Sequence, residues 1–239
     1  MISAGLSPSC ASPWAREPGQ RFNRSQVEAF ASEAEDQRFA QVIFREYLEL
    51  GLGDHLTFGG QFAGAMQESS GPGYAIDSTG TTEAELFILA HNERSGRTAR
   101  AWRFSGGFPT AKFARGQRVM GQDSFLGIDR VVGYGGDRFF AVADGGGRIS
   151  LGDDANQLRL SAKVGLKRGR AILLAESFNI VSVSEAQPTG TDFDLGQLSL
   201  SAVMPVTRTL QFEVGGRLDT YTRNINPGQA VFFSLWWTV

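Results

Sequence analysis

Apolar and polar residues alternate with a period of two in several stretches of this chain. The stretch "DHLTFGGQFAGAMQ" (54–67) carries leucine, phenylalanine or methionine on one face, with threonine and glutamine on the other. Such alternation predicts a β-strand with one apolar and one polar face. The same pattern recurs in "QLRLSAKVGL" (157–166), "GQLSLSAVM" (196–204), "TLQFEVGGRLDTY" (209–221) and "GQAVFFSLWWTV" (228–239).

Seven further segments show weaker alternation and bring the count to about twelve strands. They are 21–32, 38–51, 83–92, 98–108, 123–135, 138–150 and 170–182. Between 123 and 150 the pattern is weakest, because glycines in "GYGG" and "DGGGR" obscure the register. The chain therefore predicts an all-β protein, with an irregular N-terminal segment over 1–19 and a single domain over 20–239.

Short and long connections alternate between these strands. The short ones are "GD" (53–54), "ERSGR" (93–97), "GGD" (135–137), "KRG" (167–169) and "TR" (207–208), and the longest between them are "SSGPGYAIDSTGTT" (69–82) and "PTAKFARGQRVMG" (109–121). This alternation is typical of an antiparallel up-and-down transmembrane β-barrel, in which short periplasmic turns alternate with longer extracellular loops. A soluble sandwich has no reason to alternate in this way, because its loops serve Greek-key crossings.

The composition excludes several classes of function. The 239 residues carry a formal net charge of −2, which provides no field for binding nucleic acid. No apolar run approaches the roughly 18 residues of a transmembrane helix, whereas a tilted membrane strand needs only about 9 to 11. Cys10 is the only cysteine, so an intrachain disulfide is excluded. No signal peptide is visible at the start, so we infer location from the barrel pattern alone.

Alternation alone does not say whether the apolar face points outward, as in a membrane barrel, or inward, as in a soluble lipocalin-like barrel. The membrane orientation is favoured because the chain has only Lys112, Lys163 and Lys167, whereas soluble strand exteriors commonly carry lysine. The opposite face also mixes small residues with both signs of charge, as a crowded polar lumen would. Aromatic residues near strand ends would then form interfacial girdles, namely Tyr47, Trp102, Tyr134, Tyr221 and Trp237.

From about Gly19 onward the chain resembles the bacterial outer-membrane β-barrel class, in its porin-like members. The segment "YLELGLGDHLTFGG" (47–60) resembles the strand, tight turn and strand units of such barrels. The final strand resembles the signal read by the barrel-assembly machinery, carried here by Phe233, Leu235, Trp237 and Val239, with a terminal valine where the class favours phenylalanine. The resemblance implies the outer membrane of a Gram-negative bacterium, with its lipid, lipopolysaccharide and the assembly machinery as partners.

Charged residues on the predicted inner face are the candidate functional set. They are Arg45, Glu49, Glu85, Arg103, Arg159, Lys163, Glu213, Arg217 and Asp219. Buried charges must pair or be hydrated, so this set either lines a narrow watery pore or fills the interior as a salt-bridge network. We expect a narrow passive channel for small polar solutes. The alternative is a non-conducting structural, adhesion or interaction barrel that uses its outer loops.

One outer loop is basic: "PTAKFARGQRV" (109–119) carries Lys112, Arg115 and Arg118. These side chains would meet anionic lipopolysaccharide or stay solvated, and solvation is the simpler interpretation. Two other charges, Glu46 and Arg130, fall on the predicted apolar face. A lipid-facing Arg costs about 2 to 4 kcal/mol at the midplane of the bilayer and about 0 to 1 kcal/mol near an interface. The two charges therefore either lie near an interface or are turned aside by a shift of register, and we expect a local β-bulge.

The sequence carries no catalytic signature, so we expect neither enzyme activity, including lipid modification, nor a cofactor. The motifs G-x-S-x-G, C-x-x-C and H-E-x-x-H and the P-loop are absent. His55 and His91 are expected near the periplasmic ends of neighbouring strands, whereas barrel phospholipases, deacylases and proteases place a histidine at the outer end. A metal site there would need further ligands from Asp54, Asn92 or Glu93, so ordinary rim histidines are the simpler interpretation.

Overall fold

The protein is described here by a computed structural model, over residues 13–34, 37–71, 74–92, 97–108, 112–114, 117–118, 123–188, 190 and 192–239. Side chains are described for these residues except 34, 37, 74–83, 112–114 and 117–118. No helix in these ranges is long and apolar enough to span a bilayer. The strands are β1 (Arg21–Ala34), β2 (Gln37–Gly53), β3 (Leu56–Gly71), β4 (Tyr74–His91), β5 (Thr98–Gly107), β6 (Lys112–Ala114), β7 (Gln117–Arg118), β8 (Phe125–Gly135), β9 (Phe139–Ser150), β10 (Gln157–Arg168), β11 (Ala171–Ser182), β12 (Asp194–Pro205), β13 (Leu210–Arg223) and β14 (Gln229–Thr238).

Twelve of these strands close into an antiparallel up-and-down barrel, which confirms the predicted fold class. Each barrel strand pairs with its neighbours along the chain, β5 pairs with β8, and β1 pairs with β14 to close the ring. The short strands β6 and β7 form a hairpin between β5 and β8, and β6 pairs with β4. The closed ring leaves no barrel edge, as a membrane requires of strands that cross it.

Both ends of the barrel chain lie at the same end of the barrel. There the backbone N–H of Arg21 donates to the carbonyl of Val239 at 2.8 Å, and the reverse bond measures 2.9 Å. We call this the turn end, because the short turns 54–55, 136–138, 169–170 and 206–209 also lie there. The opposite end is the loop end. By the rule for outer-membrane barrels the turn end faces the periplasm.

The apolar face of the barrel points outward. In β14 the exposed fractions alternate from 59% at Val231 to 5% at Phe232, 52% at Phe233 and 2% at Ser234. Exposed leucine, isoleucine, valine and phenylalanine side chains continue this pattern on strands all around the barrel. An apolar belt of this extent is suited to lipid and would be a liability in water, so the soluble lipocalin-like alternative is wrong.

The predicted long loop at 69–82 is wrong. The strands β3 and β4 continue through most of it, and the ladder runs on to the pair Gly71 and Tyr74. Backbone pairing needs no apolar face beyond the membrane, so polar residues extend the hairpin without the alternation used to detect strands. The stretch 69–82 is therefore largely a β-hairpin.

The bulge predicted at the two outward charges is also wrong. Register shifts occur at Gly51/Gly53, Ala63/Gly64 and Gly196/Gln197, whereas the ladders through Glu46 and Arg130 are regular. Both side chains instead find local partners on the outer face. The hydroxyl of Ser25 donates to Glu46 at 2.6 Å.

Arg130 interacts with the neighbouring strand β5 and with Asn92, the residue that follows β4. Its guanidinium lies 4.9 Å from the centre of the Trp102 ring, and it donates to Asn92 Oδ1 at 3.3 Å. With these partners the charge of Arg130 is accommodated on the outer face while the strand pairing stays regular, so no bulge is needed. The aromatic girdle needs one correction as well, because Tyr47 is buried inside the barrel while Trp102, Tyr134 and Tyr221 lie exposed on its outer face.

Candidate functional site

Apolar side chains fill the turn-end half of the lumen. Phe22 packs edge-to-face against Tyr47 and Trp236 at centroid distances of 6.3 and 6.2 Å, and Tyr47 stacks on Phe87 at 5.6 Å. Such aromatic pairs stabilise a core beyond the burial of their area. We call the whole cluster the apolar floor; it consists of Phe22, Tyr47, Phe87, Leu89, Ala101, Val131, Phe140, Val142, Ile172, Leu174, Val203 and Trp236.

The chain before β1 packs into this end of the barrel. Trp14 packs against the apolar floor. Arg16 is buried, its Nε donates to Glu49 Oε2 at 2.6 Å, and its guanidinium lies 4.5 Å from the centre of the Phe22 ring. The Tyr47 hydroxyl also donates to Glu49, at 2.6 Å. Residues 13–19, which we call the N-terminal segment, thus bind the barrel through one buried ion pair and apolar packing.

Glycines in the barrel wall make room for the N-terminal segment. A Cβ atom at Gly133 would collide with the rings of Pro13 and Trp14. A Cβ atom at Gly51 would collide with the carbonyl oxygen of Glu17. Only glycine permits such close approach of another backbone or ring.

The two histidines lie at the turn end, and His91 binds the N-terminal segment. The carbonyl of Pro13 can only accept, so His91 Nδ1 is the donor in the 3.0 Å bond between them. In the neutral ring His91 Nε2 is then an acceptor, and it receives the Thr57 hydroxyl at 3.0 Å. His55 Nδ1 lies 3.2 Å from the carbonyl oxygen of His91. Within the described ranges no group of three His, Cys, Asp or Glu residues could hold a metal ion.

Above the apolar floor the inner face becomes charged. Glu28 is buried and accepts from both arms of Arg217 at 3.0 and 2.8 Å, which is a bidentate pair. Arg45 and Gln26 add donors to the same carboxylate at 3.0 and 3.2 Å. One carboxylate from β1 therefore joins arginines from β2 and β13.

A second buried carboxylate, Glu85 of β4, receives two arginines. Arg103 on β5 and Arg148 on β9 each donate to one of its oxygens. Arg148 reaches it across two intervening strands, so this contact spans part of the lumen. Asp129 lies 3.9 Å from Arg103 and adds a weaker ion pair to the group.

Glu213 is the third buried carboxylate of this layer. It accepts from Arg24 at 2.8 Å, from the Trp236 indole N–H at 3.0 Å and from the Ser201 hydroxyl at 2.7 Å. Lys163 pairs with Glu176 at 2.9 Å on the neighbouring β10 and β11. Each of the three buried carboxylates thus has protein partners, as burial in a low-dielectric interior demands.

A polar cavity remains between these groups. Its volume is about 270 Å³, and Tyr47 and Val131 of the apolar floor contribute to its lining. The rest of the lining is dominated by charged and amide side chains. It comprises Arg24, Gln26, Glu28, Arg45, Gln61, Glu85, Arg103, Asp129, Asp144, Arg148, Arg159, Ser161, Glu176, Phe178, Gln197, Ser199, Arg217 and Phe232.

The nine charged residues predicted from sequence all have inward positions, but they do not form one group. Arg45, Glu85, Arg103, Arg159 and Arg217 line the cavity. Glu49 lies instead beside the apolar floor, where it binds the N-terminal segment. Lys163 and Glu213 belong to the paired layer in the wall. Asp219 lies towards the loop end, where it accepts from Gln197 at 2.8 Å and from the Gly228 N–H at 2.9 Å.

Several lining residues were missed by the sequence prediction. Arg24, Gln26 and Glu28 alternate with Ser25 and Val27 in β1, which is a signal that a closer inspection of 21–32 could have used. Asp144 and Arg148 lie in the glycine-rich β9, where three consecutive glycines at 145–147 interrupt the alternation and hid the polar face. The N-terminal segment carried no periodic signal at all.

The residues of the proposed assembly signal lie on the closing strand. Phe233 and Leu235 are exposed on the outer face, Trp237 is half-buried, and Val239 is exposed at the turn end. Their role in assembly stays a prediction. For the basic outer loop, Arg115 and the side chains of Lys112 and Arg118 lie outside the described residues.

Comparison with known proteins identifies the fold. No family model matches the chain, and no curated protein matches it by sequence. Among solved structures it is similar to an outer-membrane channel from Pseudomonas putida F1, with a TM-score of 0.67 and 12% identity over 98% of this chain and 100% of the other. It is also similar to the translocator domain of the autotransporter NalP from Neisseria meningitidis, with a TM-score of 0.59 and 11% identity over 93% and 89%.

A third similar structure is the NanC porin, with a TM-score of 0.56 and 6% identity over 89% of this chain and 98% of the porin. Identities this low establish the shared fold and nothing finer. The chain therefore has the fold of outer-membrane β-barrel proteins, a fold found in channels, porins and translocators.

Proposed function

We propose that the protein is an outer-membrane channel for small polar solutes, closed at its turn end by the N-terminal segment and the apolar floor. The observation that carries this proposal is the polar cavity inside the barrel, about 270 Å³ in volume and lined by charges from many strands. A barrel that only displays loops has no need of such a cavity, because an apolar interior would be at least as stable as buried ion pairs.

The way in which the N-terminal segment closes the turn end supports a channel that this segment gates. The N-terminal segment is not part of the strand ladder around the barrel, and it continues into β1 only through Gln20. Its contacts with the wall include the Arg16–Glu49 pair, the Arg16–Phe22 contact, the Pro13–His91 bond, the Gly19–Gly51 backbone bond and the packing of Trp14. Because none of these contacts belongs to the strand ladder, the segment can leave while the barrel stays closed as a ring.

The apolar floor would remain after the segment has left. Solutes would then pass a constriction lined by side chains such as Phe22, Phe87 and Trp236. We therefore expect a small unitary conductance and rare openings in the unmodified protein. The non-conducting barrel of the alternative would keep this floor permanently shut.

The test is single-channel recording in a planar bilayer, with a heat-modifiable gel shift to establish folding. The substitution Gly133→Val places a side chain where Pro13 and Trp14 now lie, so it should displace the N-terminal segment. Arg16→Ala removes its buried ion pair by another route. We expect both variants to open several-fold more often than the unmodified protein.

Gly147→Val is the matched control. It lies on the outer face of β9, where a Cβ atom would make only ordinary contacts. We expect its opening frequency to equal that of the unmodified protein. Folded protein that shows no conductance steps in any of these forms would overturn the channel proposal and support the non-conducting barrel.

A further inference from the structure

The cavity wall exposes arginines and hides the carboxylates that hold them. The side chains of Arg45, Arg217, Arg24 and Arg103 are 26, 18, 17 and 15% exposed. Their partners Glu28, Glu85 and Glu213 are only 1, 1 and 3% exposed. Each of these carboxylates therefore lies behind the guanidinium groups that it anchors, and at these groups the cavity is faced by N–H donors.

The numbers of arginines and carboxylates in these groups also favour binding of an anion. Glu28 alone holds Arg45 and Arg217, so this group carries one positive charge more than its carboxylate cancels, whereas the two arginines on Glu85 are balanced by Glu85 and Asp129. Among the described residues, the buried Nε–H groups of Arg103 and Arg217 find no acceptor. A buried donor without an acceptor costs roughly 1 to 3 kcal/mol, which a bound acceptor would recover.

The other acidic residues of the lining are less available. Glu176 is already paired with Lys163 at 2.9 Å, and Asp144 accepts the Ser161 hydroxyl. Asp129 is buried, with Arg103 at 3.9 Å. These carboxylates limit the net positive charge of the cavity, so an anion would bind weakly enough to leave again, as conduction requires.

We infer that the cavity is a binding site for small organic anions that carry carboxylate groups. This inference rests on the proposed channel function and names its solute class. A carboxylate matches the planar donor pattern of a guanidinium, which can offer it two parallel N–H groups. Arg45 and Arg217 are the residues we expect to contact the anion, because they are the most exposed of the group.

Direct binding tests the inference without any need for conduction. Folded protein in micelles would be titrated calorimetrically, at low salt, with succinate, with its neutral diamide and with putrescine. The three probes have four-carbon chains and differ mainly in charge. We expect measurable heat of binding for succinate alone. Equal binding of all three, binding of putrescine only, or no binding of succinate would overturn the inference.

Substitutions of single arginines test whether succinate binds in the cavity. Arg217→Gln removes a charged donor of the cavity and should weaken succinate binding by about tenfold, the effect of one charge-assisted hydrogen bond. Arg45→Lys keeps the charge without the planar fork and should weaken it less. Arg170→Gln changes an exposed arginine in the turn between β10 and β11 and is the matched control. Equal affinity in Arg217→Gln and Arg170→Gln would place any anion binding elsewhere and overturn the assignment.

Reversal potentials separate this inference from the channel proposal. In a potassium chloride gradient, conducting protein should prefer chloride, and Arg217→Gln should lower that preference. Conductance with a preference for cations would overturn the proposed anion site but would still support the channel proposal. Succinate binding in protein that never conducts would support the anion site and overturn the channel proposal.

Discussion

The two halves of the lumen are built on the same strands and differ completely in chemistry. At the turn end most inward side chains are aromatic or aliphatic and pack together as the apolar floor, with the buried Arg16–Glu49 pair beside it. Toward the loop end the same inner face carries arginines, buried carboxylates and a cavity. The difference shows that a barrel can seal one end with an ordinary hydrophobic core and keep the other polar, while its outer face stays uniformly suited to lipid.

The sequence of the final strand, β14, reflects both its lipid-facing side and its lumen-facing side. Trp236 points inward into the apolar floor and Phe232 points inward at the lining of the cavity, while Phe233 and Leu235 point outward. A strand with lipid on one side and the apolar floor on the other needs apolar residues on both faces, as buried strands generally do. This accounts for the almost continuous apolar end of the sequence.

The largest effect is expected from breaking the apolar floor. Phe87 is 2% exposed and stacks on Tyr47, so Phe87→Ala should lower the free energy of unfolding by about 3 to 5 kcal/mol. Phe104→Ala removes the same side chain from the outer face of the adjacent strand and should cost clearly less. Denaturant unfolding in detergent or lipid, followed by tryptophan fluorescence, measures both. Equal losses would show that the floor is not a packed core.

Breaking the charged layer should have a smaller effect. Glu28→Gln keeps the volume of the side chain but removes the charge shared by Arg45 and Arg217, and we expect a loss of about 2 to 3 kcal/mol in the free energy of unfolding. Glu33→Gln is the control, because Glu33 and its partner Arg38 are exposed at 3.6 Å, where an ion pair contributes about 0 to 1 kcal/mol. Indistinguishable midpoints for the two variants would contradict a structural role for the Glu28 group.

The smallest effect is expected on the outer face. Glu46 faces the lipid side and is held by Ser25, so Glu46→Leu should raise the free energy of unfolding in lipid by about 1 kcal/mol, less than the 2 to 4 expected for Arg or Lys at the midplane. The gain should vanish in denaturation from detergent alone if the bilayer is its cause. A loss of stability in lipid would instead mean that the Ser25–Glu46 contact stabilises the wall.

The sequence by itself determined the barrel. Alternation in β3, β10, β12 and β14 identified strands and their two faces, and the short turns "GD" (53–54) and "KRG" (167–169) indicated the up-and-down order. These features could be predicted because they are local, each arising from a period of two or from a short turn. Inward positions of residues such as Arg45 and Arg217 followed from the same periodicity.

Only the tertiary structure decided what those inward residues do. The grouping of Glu28 with Arg45 and Arg217, and of Glu85 with Arg148, joins positions far apart in the chain whose distance depends on barrel closure and register. The N-terminal segment lies in the turn end because Gly51 and Gly133 leave room for it there, a fit between surfaces that leaves no periodic mark in either stretch. Strand periodicity reports which way each side chain points, whereas closure of the ring determines which side chains meet.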